Sequence, residues 1–283
     1  MNFTEINLDL QGVAKRIYES LLYRSSFYKM LNPNYIGELR RTGNPMIEVL
    51  KSTDTSVNVR ETKEIANALT PSLQGYSSIK VDLTELPMDY SIRIPVLVAG
   101  SNLIGTLEDA MDKKDQAVAI AIDTYGFGKL EDTVVAEKEW DPATKEAYVD
   151  IINEIQADLF NNNVYEDYRL ALSATEYARL KSALTSILKY ETSVGVKGVD
   201  MGQVEEAYGF KIFAVADTVI GDVKGYAINP RAVVGDAFFD SMQIFNGNYP
   251  GFPGYFVIES NILFGAEVVE QNAIIKLVEE VSA

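Results

Sequence analysis

Residues 141–190 read DPATKEAYVDIINEIQADLFNNNVYEDYRLALSATEYARLKSALTSILKY, and the alternation of helix and strand signals along them decides the fold. Asp141-Pro142-Ala143 offers a capping side chain followed by proline at a first helical position. Tyr148, Ile151, Ile152, Ile155 and Leu159 then recur at helical spacing, which puts one apolar stripe against a core. Asn161-Asn162-Asn163 stops that helix. Tyr168 to Leu172 alternates as a strand, with Tyr168, Leu170 and Leu172 on one side. Ser173-Ala174-Thr175-Glu176 has the spacing of a capping box, in which serine and glutamate each satisfy a backbone donor. It starts a second helix with Tyr177, Leu180, Leu184, Ile187 and Leu188 inward. Beyond a glycine-bearing stretch at Gly195, Gly198 and Gly202, Lys211 to Val215 is an apolar strand running into Asp217, and Tyr226 to Val234 reads as one more. The result is a compact unit of alternating helix and strand whose loops face outward.

Upstream, the spacing predicts an amphipathic helix over 12–31, with Val13, Ile17, Leu21, Tyr28 and Leu31 on one side and Lys15, Arg16, Arg24 and Lys29 around it. The pattern predicts strands at 46–52 and 79–83 that bracket a polar insertion, which makes a long hairpin. A loop of that length belongs either to a surface hairpin or to a segment reaching across a neighbouring subunit. Its polar composition argues for contacts mainly between subunits. Ile92 to Val98 is a strand with Pro95 at an edge or an end. The longest helical pattern comes next: Leu103, Leu107, Met111, Val118, Ile122 and Tyr125 inward, and Glu108, Asp109, Asp112, Lys113, Lys114 and Asp115 outward, until Gly126 and Gly128 stop it. At 1.5 Å per residue that helix is on the order of 35 Å long. Phe238 to Gly254, with aromatics among glycines and prolines, reads as an irregular packed connection rather than a carbohydrate or peptide groove. Tyr255 to Phe264 and Ala273 to Val278 are closing strands.

The order of these parts resembles the major capsid proteins of tailed bacteriophages, the fold named after phage Hong Kong 97. The resemblance rests on Leu172-Ser173-Ala174-Thr175-Glu176-Tyr177-Ala178-Arg179-Leu180 as a helix start and on Gly209 to Asp217 as a strand ending in aspartate. It also rests on Gly225-Tyr226-Ala227-Ile228-Asn229-Pro230-Arg231-Ala232-Val233, and on the Ala119-Ile120-Ala121-Ile122-Asp123 ending of the long helix. It implies an α+β chain with an N-terminal arm at 1–45, an extended-loop hairpin at 46–85, a peripheral domain with a spine helix at 86–140 and 238–283, and an apical domain at 141–237. In that family the closing strands return to pair with the peripheral strands beside the spine helix. The function implied is that of a structural subunit, not an enzyme. It would assemble as hexamers and pentamers into an icosahedral head around double-stranded DNA, within the virion and in the host cytoplasm during assembly. Implied partners are a scaffold, a portal and decoration proteins. No additional helical segment of scaffold type precedes the arm, so the chain resembles relatives assembled with a separate scaffold or already trimmed. The same-fold alternative is an encapsulin-like compartment shell enclosing protein cargo.

Composition sets the bounds on chemistry. A 47% hydrophobic share over 283 residues excludes a disordered chain. Cysteine and histidine are both absent, which removes disulfides, thiolate or imidazole metal sites, and Ser-His-Asp or Cys-His catalysis. The formal charge of −16 argues against a nucleic-acid reader. Residues 1–60 carry 8 Lys+Arg against 6 Asp+Glu, whereas the remainder carries 17 against 35, so residues 1–60 are the segment expected to face inward, toward DNA. Neither a Walker-type nor a dinucleotide-binding glycine loop occurs, and Gly126-Phe127-Gly128 is too short a fragment for either. Asp236 with Asp240, or Glu205 with Glu206, are the pairs on which an acidic hydrolase, the rival of a different class, would have to run. No catalytic, cofactor or metal residue is assigned. The N-terminus lacks an export signal and the apolar runs are too short to span a bilayer, so a soluble protein is expected.

Overall fold

The computed structural model describes residues 10–36, 46–52, 76–95, 103–188, 196–197 and 206–279. In chain order these form α1 (Leu10–Arg24), β1 (Met46–Ser52), β2 (Tyr76–Asp82), β3 (Leu86–Pro95), α2 (Leu103–Asp132), β4 (Ala136–Glu139), α3 (Lys145–Asn161), β5 (Tyr168–Ser173), α4 (Ala174–Leu188) and β6 (Val196–Lys197). Next come β7 (Glu206–Ala207), β8 (Phe210–Val215), α5 (Asp217–Ile220), β9 (Gly225–Ile228), β10 (Val233–Tyr249), β11 (Phe252–Val268) and β12 (Ile274–Val278). The strands make a seven-stranded sheet in the order β4-β12-β9-β5-β8-β7-β6, a three-stranded sheet β10-β11-β3 and the hairpin β1-β2.

The apolar stripes read from sequence are the faces that pack. Ile152, Ile155 and Leu159 of α3 and Leu180 and Leu184 of α4 cover one face of the seven-stranded sheet, against Leu170, Leu172, Ile212 and Leu277. The opposite face, through Ala171, Val215, Tyr226 and Ile228, shares a larger core with α2, the arm and the three-stranded sheet. Sheet and long helix are thereby fastened through Phe127, whose ring stacks on Tyr226 at 5.9 Å.

Several expectations are corrected. Helix α2 runs through Gly126 and Gly128 to Asp132, about 45 Å at 1.5 Å per residue. A Cβ on Gly126 would lie 2.2 Å from the Phe27 ring, so this glycine makes room for a tertiary contact and does not mark a helix end. Helix α3 starts at Lys145, capped by the Thr144 hydroxyl, which accepts the Ala147 N–H. Asp141 and Pro142 instead succeed Trp140, which is buried with its backbone N–H on the Val278 carbonyl. Half of the capping box forms: Ser173 Oγ accepts the Glu176 N–H at 3.2 Å. The Ser173 N–H goes to the Lys224 carbonyl, and the Glu176 carboxylate accepts from Trp140 Nε1 and Arg179.

The segment read as one strand over 226–234 is two, β9 and β10, separated by a 3-10 turn at Pro230–Ala232 that Asn229 caps. Phe238 to Gly254 is no irregular connection but the turn-proximal part of the longest hairpin, β10 and β11, with Gly251 at positive φ in its turn. The last strand, β12, pairs with β9 and β4 in the seven-stranded sheet and not with the strands of the three-stranded one. The readings at 1–9, 37–45, 53–75, 96–102 and around Gly195, Gly198 and Gly202 lie outside the described residues, as do the side chains of Val13, Ile187 and Leu188.

Candidate assembly surfaces

The hairpin β1-β2 alternates along both strands, as a one-sided ribbon must. Ile47, Val49, Val81 and Leu83 are buried against Val234 at the start of β10. Met46 and Leu50 project outward and are exposed, flanking the directly opposed pair Glu48 and Lys80. Where the ribbon crosses β11, a Cβ on Gly265 would fall 1.9 Å from the Asp82 carbonyl oxygen, so only glycine permits the crossing. Lys51 at the far end reaches the Val269 carbonyl and Glu270. The base of the hairpin is thus anchored within its own chain, contrary to the expectation of contacts mainly between subunits. Its outer face is the part left for a neighbour among the described residues.

The arm is held by carboxylates of the long helix. Asp123 accepts Ser25 Oγ at 2.6 Å, the Phe27 N–H at 2.9 Å and the Ser26 N–H at 3.2 Å, so it caps the turn that ends α1. Burial raises its pKa despite those bonds and nearby Lys29. Phe27, Tyr28, Met30 and Leu31 then enter the core, and the carbonyl of Lys29 accepts from Arg169. Arg16 and Arg24 both pair with Asp112 at 3.3 Å, and Lys15 with Glu19 at 3.6 Å. Among the described residues of 1–60, Lys15, Arg16, Arg24 and Lys51 are therefore paired with carboxylates of the same chain. Lys129 ties α2 to the turn before β3 through Glu85 at 2.8 Å and to β11 through Glu267 at 3.5 Å. Burial raises the Glu85 pKa, but bonds from Lys129 and Tyr125 outweigh it and hold the carboxyl low; burial and Glu85 push the Tyr125 hydroxyl up to about 12.

The long hairpin presents a polar outer face. Arg93 pairs with Glu259 at 3.5 Å, Glu259 also accepts from Tyr249, and the Arg93 guanidinium lies over the Tyr249 ring. A groove of about 350 Å³ runs across this face, bordered by Asp89, Ser91, Gln243 and Asn261.

Only one member of each carboxylate pair considered from sequence, Asp236 and Glu206, has a described side chain. Asp236 is buried and accepts from the Tyr28 hydroxyl at 2.5 Å and the Ala237 N–H at 2.8 Å. Glu206 lies in the short strand β7 opposite Lys197 and Lys211, while Glu205 and the Asp240 side chain are outside the described residues. No group of carboxylates among the described residues is arranged to hold a metal. Among these residues, no helix is long and apolar enough to cross a membrane. Sequence reasoning missed Asp115, expected outward and found buried with Tyr90 donating to it at 2.9 Å. Its spacing from Met111, Val118 and Ile122 was the available signal, since it falls on the apolar stripe.

No family model matches the sequence, and no curated protein does. Solved structures do. A chain of Mycobacterium phage Che8 matches with a TM-score of 0.63 at 13% identity, over 90% of this chain and 91% of that one. The capsid structure of the cyanophage P-SCSP1u matches with a TM-score of 0.59 at 13% identity, over 84% of both chains. A virus-like particle from Pyrococcus furiosus matches with a TM-score of 0.53 at 14% identity, over 93% of this chain and 98% of that one. The mixed helix-and-sheet architecture is that of the Hong Kong 97-like capsid fold.

Proposed function

We propose that this chain is a major capsid protein, a structural subunit that assembles through copies of itself into an icosahedral head enclosing double-stranded DNA. The observation that carries the reading is that the likeness to capsid chains runs through most of the molecule, so arm, hairpin, long helix, sheet and long hairpin occur together and in order. A likeness confined to one sheet would carry far less, because a fold element hosts many functions. The chain divides into an arm at 1–45, the hairpin at 46–85, a peripheral part at 86–140 and 238–283, and an apical part at 141–237. Strand β12 is lent to the apical sheet. Hexamers and pentamers are the assembling units, a separate scaffold, a portal and decoration proteins are the further partners, and assembly takes place in the host cytoplasm before the head becomes part of the virion. Packaged DNA lies near the arm without being bound tightly.

Leu50→Glu tests the reading on a residue that folding does not need, since Leu50 is 64% exposed on the outer face of the hairpin. The variant is expected to keep the far-ultraviolet spectrum and unfolding midpoint of the parent while losing assembly in sedimentation. Unchanged assembly would remove the hairpin from the interface. Protein cargo in place of DNA inside purified particles would favour an encapsulin-like shell.

A further inference from the structure

Helix α1 closes over α2 through Ile17 and Leu21, both fully buried, and through the Arg16 and Arg24 pairs to Asp112. It stops at the Ser25-Ser26 turn, which Asp123 fixes, while Phe27 to Leu31 beyond that turn are locked in the core. The turn thus separates the helix from the locked segment Phe27 to Leu31. Beneath α1, one turn along α2 from Asp112, lies Asp115, 1% exposed. Its Oδ1 accepts from the Tyr90 hydroxyl at 2.9 Å, but its Oδ2 makes no well-formed hydrogen bond, and neither does the buried Ser20 Oγ of α1 that faces the carboxyl.

We propose that α1 is a proton-gated flap: Asp115, buried beneath it with one carboxyl oxygen lacking a well-formed hydrogen bond, holds it closed as the neutral acid and lets it open as the carboxylate. A buried carboxylate with one well-formed donor is poorly compensated. The groups facing it are Arg16, Ser20 and Arg24 from α1, Tyr90 from β3 and Asp112 from its own helix, and Asp112 draws off both guanidinium groups. Burial outweighs the pull of Tyr90, Ser20, Arg16 and Arg24 and raises the Asp115 pKa. The sign comes from linkage. With the closed-state pKa above that of the open state, closure is strongest below the ordinary aspartate value of about 4 and weakens as pH rises through the elevated one. Opening hydrates the carboxylate and uncovers the face that Ile17 and Leu21 occupy. The inference concerns the isolated subunit and stands whether or not the chain builds a shell.

Hydrogen exchange on the full chain from pH 4 to 8, corrected for intrinsic rates, tests it. Protection of α1 amides is expected to fall by up to about tenfold per pH unit across the transition, while α3 amides stay level. Asp115→Asn is expected to flatten the α1 profile and raise its protection at pH 8. Tyr90→Phe removes the donor that favours the carboxylate and is expected to shift the fall to higher pH. A level α1 profile in the parent, or the same slope in Asp115→Asn, overturns the proposal. If Asp115→Asn does not fold, an unmoved profile in Tyr90→Phe overturns it instead.

Discussion

Gly126→Ala sets a local preference against a tertiary contact, and the structure fixes which wins. In a free helix interior alanine is about 1 kcal/mol better than glycine. Here the added Cβ would stand 2.2–2.4 Å from Cδ1, Cγ and Cε1 of Phe27, well inside the ordinary contact of about 3.5–4.0 Å. The ring has little room to retreat, because Phe127 and Phe264 meet it edge-on at 5.6 and 6.4 Å. Forcing the extra methyl into such a core costs about 1–3 kcal/mol. Expelling Phe27 instead would forfeit about 1.5–3 kcal/mol of burial. Against the gain in propensity, the net is a loss of up to about 2 kcal/mol. In a Phe27→Ala background the clash is gone, and the same substitution should become stabilising by about 1 kcal/mol. The coupling in a double-mutant cycle is then about 1–3 kcal/mol, measured by equilibrium urea unfolding of dissociated subunits. Additive effects, or a stabilised Gly126→Ala single variant, would refute the assignment of Gly126 to the Phe27 contact.

Other expectations rest on the same geometry. Leu107→Asp, at a buried position of α2, should abolish soluble folded protein, since an unpaired buried carboxylate costs several kcal/mol against a total stability of about 5–15, whereas the exposed Glu108→Ala should leave the unfolding midpoint unchanged. Gly265→Ala should detach the β1-β2 ribbon from β11, seen as protease sensitivity between residues 46 and 85 with the seven-stranded sheet still folded. Free subunits should show no measurable DNA affinity at physiological salt, because Lys15, Arg16 and Arg24 are engaged with Glu19 and Asp112, and filter binding at several salt concentrations checks this.

Much of the fold is legible in the sequence because the stripes of α3, α4 and α2 and the alternation of β5 and β8 are local signals of burial. The features that escape it depend on distant partners. Gly126 looks like a stop until Phe27 is placed against it, and the Pro- and Gly-rich look of 238–254 hides strand residues whose partners extend to Leu263. The charge of Asp115 points to solvent although its phase is that of Met111 and Ile122; position on the stripe outweighs polarity because Tyr90 supplies a donor. The surfaces are harder to read than the core. Met46 and Leu50 are apolar residues in alternating strands, and only the packing of Ile47 and Val49 on Val234 tells which face is left outside.

The central claim is that copies of this chain close into a shell, and electron microscopy of the purified full-length protein, with mass photometry across protein and salt concentration, tests it most directly. The account predicts closed particles, or fivefold and sixfold rings that grow into them as salt screens the acidic subunits over about 8–10 Å. A single small oligomer at every concentration and ionic strength would contradict it.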